Sequence, residues 1–195
     1  MFNQNPIPEN AKKAYQWHSI NIREREQQLF DWSYAPFQTI QRKEFAQILP
    51  VTQDNKLIIV HEEQPRIGEF YGLIGWSIEL WDTPEQTINK EAREETGMQI
   101  HTLKDLYTSP IWGSIGTAYG YITHDFSFPY ETAQEPWEKI TMIQVDFEQF
   151  LTMIVSDKRR STEFTYRVMK NYLINNNKEW LYKLLFNKDQ LLGQQ

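Results

Sequence analysis

The stretch Thr83 to Gly97, TPEQTINKEAREETG, constrains the possible folds of this chain more tightly than any other segment. Thr83 and Gln86 have the spacing of a reciprocal helix N-cap, Pro84 falls at the first helical position, and Gly97 stands where a left-handed residue ends a helix. Nothing from 84 to 96 breaks a helix. With Ile88 set to zero and a turn of 100° per residue, Ala92 lies at about +40°, Glu95 at −20°, Glu91 at −60° and Glu94 at −120°. The three acids share one arc, and that arc begins on the stripe that should face a core. Stability alone disfavours this. A helix C-terminus carries partial negative charge and prefers Lys or Arg, and Glu91 and Glu95, four apart, repel by roughly 0.2–0.5 kcal/mol. Two readings follow. The acids are a solvated helix end, or they form a functional face that breaks local rules on purpose. Carboxylates grouped with oxygen-only donors suit Mg²⁺ or Mn²⁺.

The rest of the chain narrows the classes open to it. Its 195 residues, 40% hydrophobic and 14% aromatic, suffice for one sizeable core. No apolar run approaches transmembrane length, and the start MFNQNPIPEN lacks the basic and apolar regions of a signal peptide, so a soluble cytoplasmic protein is expected. The absence of cysteine excludes disulfides and thiolate metal sites. His18, His61, His101 and His124 are scattered and read as packed or surface histidines rather than ligands. The net charge of −6 argues against a broad nucleic-acid surface. The short basic run Lys158-Arg159-Arg160 reads as a solvated loop. An anionic substrate would therefore need a divalent cation to meet this chain.

Along the chain, residues 1–15 read as a loose polar arm. Segments WHSINI and FQTIQ alternate as strands would around a turn at Asp31-Trp32-Ser33, although NIREREQQLF is also compatible with a helix. FAQILPV and KLIIVHE flank a turn at 53–55 and suggest a hairpin. GLIGWSIEL reads as a strand leading into the acidic helix, and IHTLKDLYTS, TAYGYITHDF and EKITMIQV as further strands. Asp146 should cap a short helix, FEQFLTMI. Residues 161–187 read as two helices, with Phe164, Val168, Met169, Tyr172 and Leu173 forming one apolar face and Trp180, Leu181, Leu184 and Leu185 the other. These faces suit a core or a subunit interface. The order of elements predicts a mixed α/β sandwich. No Gly-rich phosphate loop ends in Lys-Ser or Lys-Thr, and Trp112-Gly113-Ser114-Ile115-Gly116 lacks the first glycine of a nucleophile elbow.

Residues 76–98, WSIELWDTPEQTINKEAREETGM, resemble the Nudix box of the Nudix hydrolases: a glycine, five free positions, a glutamate, seven free positions, then Arg-Glu-aliphatic-x-Glu-Glu-x-Gly-aliphatic. Glu91, Glu94, Glu95, Gly97 and Met98 match. Lys90 stands for the arginine, Asp82 for the first glutamate and Ala92 for the aliphatic residue. Trp76 replaces the opening glycine, and Trp81 stands where many members have a glycine. The flanking order, IVHEEQPRIGEF, the box, a strand pair and an acidic loop leading to WEKITMIQVDFEQF, is similar to the ADP-ribose pyrophosphatase branch.

The resemblance implies a Nudix-type α/β/α sandwich with a mixed sheet. It divides the chain into an N-terminal arm and strand segment (1–42), a Nudix domain (43–155) and a C-terminal helical extension (156–195). It implies hydrolysis of the pyrophosphate in a nucleoside diphosphate joined to another group, ADP-ribose or a sugar nucleotide, by metal-activated water. Glu91 and Glu95 would hold Mg²⁺ or Mn²⁺, with Glu94 and the carbonyl of Gly75 contributing. Glu138, with Glu135 second, would be the base in a late loop. Arg66 would contact phosphate, and Trp76, Tyr71 or Trp112 could stack on a base. Lys90 would orient Glu94. Relatives pair through N-terminal strands, so a homodimer is expected. The competing reading, prompted by Trp76 and Trp81, is a nucleotide-binding or scaffold protein that has kept the fold and lost the chemistry.

Overall fold

The computed structural model describes residues 11–16, 20–65, 67–175 and 178–186, with the side chains of 171–178 left aside. Strands β1 (Lys12–Gln16), β2 (Ile20–Gln28) and β3 (Tyr34–Arg42) form an antiparallel sheet. The strand reading of 20–28 holds over the helical one. The turn at Asp31-Trp32-Ser33 is where the sequence puts it: Asp31 Oδ1 accepts from the Ser33 backbone at 3.1 Å and the Ser33 hydroxyl at 2.6 Å, and Trp32 adopts φ 69°. Lys12–Gln16 is a strand rather than part of a loose arm, because its backbone pairs with β2. Residues 1–10 lie outside the described residues.

Two further three-stranded sheets carry the core. In the first, β4 (Phe45–Pro50) runs parallel to β9 (Thr117–Thr123), which pairs antiparallel with β8 (Lys104–Pro110). In the second, β5 (Leu57–Gln64) lies between β11 (Lys139–Val145) and β6 (Gly68–Gly72), antiparallel to both. The short strands β7 (Gln99–Ile100) and β10 (Phe126–Ser127) pair with each other. The expected hairpin at 45–62 is therefore not one. Thr52 to Lys56 do form a tight turn, but the strands then diverge into different sheets, joined by the single bridge Val51–Leu57. The nearly unbroken apolar run of β4 is buried on both faces, as parallel strands between helical layers are. The expected strand GLIGWSIEL is another correction: only Gly72 belongs to a strand, and the segment crosses β4 as a loop with isolated bridges at Ile74 and Ser77.

Helices cover both faces. Helix α1 (Pro84–Thr96) places Ile88 and Ala92 against Ala46, Ile48, Ile58, Val60 and Ile140. On the other side, α2 (Phe147–Ile154), α3 (Thr162–Asn175) and α4 (Lys178–Phe186) bury Phe150, Phe164, Val168, Leu181 and Leu185 against Leu49, Leu57, Ile59 and Tyr107. Neighbours on β5 alternate accordingly, Leu57 and Ile59 toward α2–α4 and Ile58 and Val60 toward α1. Of the two apolar stripes, Phe164, Val168, Leu181 and Leu185 are core and Trp180 and Leu184 pack against it, while the side chains of Tyr172 and Leu173 lie outside those described. The result is an α/β/α sandwich. No described helix is long and apolar enough to cross a membrane.

Candidate active site

Helix α1 starts as its sequence dictates. The Gln86 backbone donates to Thr83 Oγ1 at 3.2 Å, and the Thr83 backbone donates to Gln86 Oε1 at 2.7 Å. It ends at Gly97, φ 71°, whose N–H reaches the carbonyls of Ala92 and Arg93. A Cβ on Gly97 would stand 2.3 Å from the Tyr130 carbonyl, so this position also needs glycine for room.

The remaining free carbonyls of the helix end recruit a loop. Ala133 donates its backbone N–H to Glu94 O at 2.8 Å, and Gln134 Nε2 reaches Glu95 O at 3.3 Å. Gln134 also ties the loop to β11, donating to Ile140 O at 2.8 Å and accepting from the Ile140 N–H at 3.0 Å. Arg93 lies over the Tyr130 ring, 4.6 Å from its centroid. Glu138 follows from this docking. It is half-buried, its backbone donates to Glu135 O at 2.9 Å, and its Oε2 accepts from the Glu135 backbone at 3.4 Å. Glu135 itself is exposed.

The charges of Glu62, Glu91 and Glu138 all act on Glu95. Glu95, 6% exposed, has an Oε2 with no hydrogen-bond partner. Burial pushes its carboxyl well above the usual range, reinforced by the charges of Glu91, Glu62 and Glu138 and opposed by a backbone hydrogen bond from Gly75. Burial and the neighbouring Glu94 raise Glu91 to about 7. Glu138 is raised chiefly by burial, with the Glu135 charge adding and Arg160 opposing. Burial also raises Glu62, against the pull of Gln64 and Arg160. Lys90 is exposed, and its charge acts on Glu91; it makes no ion pair with Glu94, contrary to the orienting role expected of it.

The donor set fits a hard divalent cation in its chemistry: oxygen only, several negative charges, and a buried oxygen without a partner. As placed, no three acidic or histidine side chains among the described residues stand close enough together to hold an ion.

Glu62 and Arg160 were not foreseen. Glu62 lies in phase with Ile58 and Val60 on β5, so strand alternation aims it at α1, and an acid on a core-facing phase was the available signal. The basic run 158–160 is a loop with Lys158 and Arg160 exposed, as expected, but it is anchored by its backbone. Its backbone zips onto the edge of β6, with Tyr71 N–H donating to Lys158 O at 2.6 Å and Arg160 N–H to Tyr71 O at 2.9 Å. The Arg160 guanidinium lies over Trp76 at 4.5 Å and Phe70 at 5.1 Å, with Nη1 3.7 Å from Glu62 Oε1. Gln64 Nε2 holds the same Glu62 oxygen.

Beside the acids opens a cleft of about 380 Å³, lined by Arg42, Lys43, Gly75, Trp76 and Arg160 among others. Gly75, at φ 135°, crosses β4 so closely that a Cβ would meet Ala46 O at 2.2 Å. Trp76 is thus at the site, whereas Trp81 is 89% exposed and does not crowd it. Tyr71 packs against the core and the His61 ring, and Trp112 is exposed on its turn. Arg66 and His18 lie outside the described residues. Of the other histidines, His101 Nε2 lies 3.0 Å from Ser127 Oγ and His124 Nε2 2.8 Å from Leu185 O.

No protein-family model and no curated protein sequence matches this chain. Its fold does match solved structures. The crystal structure of an ADP compounds hydrolase superposes with a TM-score of 0.68, covering 89% of this chain and 97% of that one at 13% sequence identity. The chain shares the α/β/α sandwich of that structure, the architecture that the order of its elements led us to expect.

Proposed function

We propose that this protein is a divalent-metal-dependent hydrolase of the pyrophosphate link in a nucleoside diphosphate compound, with ADP-ribose or a sugar nucleotide as the preferred class. The observation that carries the reading is the convergence of the charges of Glu62, Glu91 and Glu138 on buried Glu95, near a cleft that Arg42, Lys43 and Arg160 help to line, in a fold shared with an ADP compounds hydrolase. Glu91 and Glu95 would hold Mg²⁺ or Mn²⁺, with Glu94 and the Gly75 carbonyl completing the shell. When bound, such an ion neutralises phosphate charge and lowers the pKa of coordinated water. The chain supplies the rest. Glu138, on a loop pinned by Gln134, takes a proton from the attacking water, and its raised pKa brings it nearer the working range of a general base. Trp76 offers an aromatic wall to the cleft. Incubation with ADP-ribose, sugar nucleotides, dinucleoside polyphosphates and nucleoside triphosphates, with and without Mg²⁺, read by mass spectrometry, tests the proposal. Cleavage confined to the metal-containing samples is expected, and no cleavage of any of the four classes would leave the catalytically silent nucleotide-binding reading.

A homodimer belongs to the same proposal. The β1–β3 sheet exposes Tyr15, Tyr34, Phe37 and Ile40, with Phe30 and Trp32 at its turn. Paired sheets would cover these side chains. Light scattering at micromolar concentration should give twice the chain mass, and a monomer there refutes pairing.

A further inference from the structure

We propose that Arg160 is the residue that receives the substrate's diphosphate, a role resting on the nucleotide reading above but testable apart from hydrolysis. Two independent devices fix it. Its backbone is paired to the edge of β6 through Tyr71, and the next residue, Ser161, is buried and locked from two sides. Ser161 Oγ accepts from the Leu73 N–H at 3.2 Å and from Gln47 Nε2 at 3.3 Å. The side chain, 42% exposed, stacks on Trp76 and Phe70, which reduces the conformational freedom to be lost when an anion arrives.

Arg160 also joins the two halves of the site. It lines the cation-rich cleft, and it reaches Glu62 on the edge of the carboxylate cluster at 3.7 Å, longer than a hydrogen bond. Its planar fork therefore has donors available for phosphate oxygens while its charge offsets the acids behind it. The other cleft cations are placed differently. Lys43 is engaged by both oxygens of Glu79 at 3.1 Å, and Arg42 lies at the β3 end of the cleft.

The test is calorimetric titration of the protein with Mg²⁺ present, with ADP and with adenosine, on the parent, Arg160→Lys and Arg160→Gln. Arg160→Lys keeps the charge that faces buried Glu62, which guards against loss of fold; far-ultraviolet circular dichroism and Tm confirm it. The parent should bind ADP more tightly than adenosine. Arg160→Lys should lose about tenfold in ADP affinity and Arg160→Gln about 10²-fold, the cost of replacing a bidentate charged contact, with adenosine affinity unchanged. In turnover assays KM should rise. Parent-like ADP affinity in both variants overturns the assignment, as does a fall in kcat at unchanged KM, or a parent that does not distinguish ADP from adenosine. Failure of the hydrolysis screen with ADP binding lost in the variants would reject the catalytic reading and leave Arg160 as the diphosphate contact.

Discussion

Helices α1 and α2 open with the same device, a reciprocal cap of Thr83 with Gln86 in one and of Asp146 with Gln149 in the other, and then diverge. Helix α2 spends its inward face on Phe147, Phe150 and Ile154 and joins the larger core. Helix α1 buries Thr87, Ile88 and Ala92, but its last turn sends Glu95 inward with Glu91 and Glu94 beside it. The start of a helix is local chemistry. What its far end does depends on partners brought from elsewhere, here the 130–138 loop, Glu62 of β5 and Arg160. Helix α2 is arranged for packing, and α1 gives up electrostatic stability to concentrate charge.

Substitutions on the two sides of this comparison should therefore fail in different ways. The largest effect is expected at the loop that α1 recruits: Glu138→Gln should slow pyrophosphate hydrolysis by about 10²–10⁴-fold with divalent-ion binding nearly intact, measured by steady-state kinetics and calorimetry. Turnover within fivefold of the parent would remove Glu138 as the base. On the α2 side, Phe150→Ala, at a fully buried position, should cost about 3–5 kcal/mol in denaturant unfolding and leave kcat per folded molecule unchanged.

Glu95→Gln sharpens the contrast, because it should weaken function while helping the fold. Loss of one charge from the cluster should reduce Mg²⁺ or Mn²⁺ affinity at least about tenfold. The metal-free protein should gain Tm, since burial opposes the ionised form and Glu91 repels it. If the variant binds the ions as well as the parent, the acids are a charged helix end and the metal reading fails.

What could be read from the sequence divides along the same line. Both caps, the Gly97 stop and the Asp31 turn depend on neighbours a few residues away, and they stand where expected. The parallel pairing of β4 with β9 joins residues more than seventy positions apart, so no local pattern announced it, and the turn at 53–55 imitated a hairpin. Of the site, the α1 acids were legible from their arc, and Glu138 through family resemblance. Arg160 was not: a run of three basic residues reads as solvated until its backbone is known to pair with Tyr71, and only then does Trp76 gain its cationic partner.

The carboxylate cluster makes α1 a pH-dependent liability that α2 does not share. Glu62, Glu91, Glu95 and Glu138 are all raised, each chiefly by burial, so ionising them costs more in the folded than in the unfolded chain. Stability from this source is fully present below the ordinary glutamate value of about 4.3 and is lost as pH climbs through the folded values, about 7 for Glu91. In EDTA, Tm should fall by about 3–8 °C between pH 5 and pH 8. Added Mg²⁺ should recover most of that loss at pH 8 by binding the ionised form. A Tm that rises over this interval would contradict the burial of the cluster.

The smallest effect should come from Asp82, just ahead of the α1 cap. It stands where the Nudix pattern has a glutamate, one methylene longer, and its backbone N–H donates to Glu79 O at 3.1 Å in the turn that leads to Thr83. No ion pair among the described residues holds its carboxylate. Because the cap is made by Thr83 and Gln86, a longer acid at 82 can extend without disturbing the start of the helix. Asp82→Glu should therefore shift stability by less than about 0.5 kcal/mol, as surface changes usually do, and alter turnover by no more than about twofold. A loss above tenfold, with Tm unchanged, would show that the shorter acid has a task of its own at the mouth of the carboxylate face. The division between a helix start made locally and a helix end made by distant partners would then have to move back by a turn.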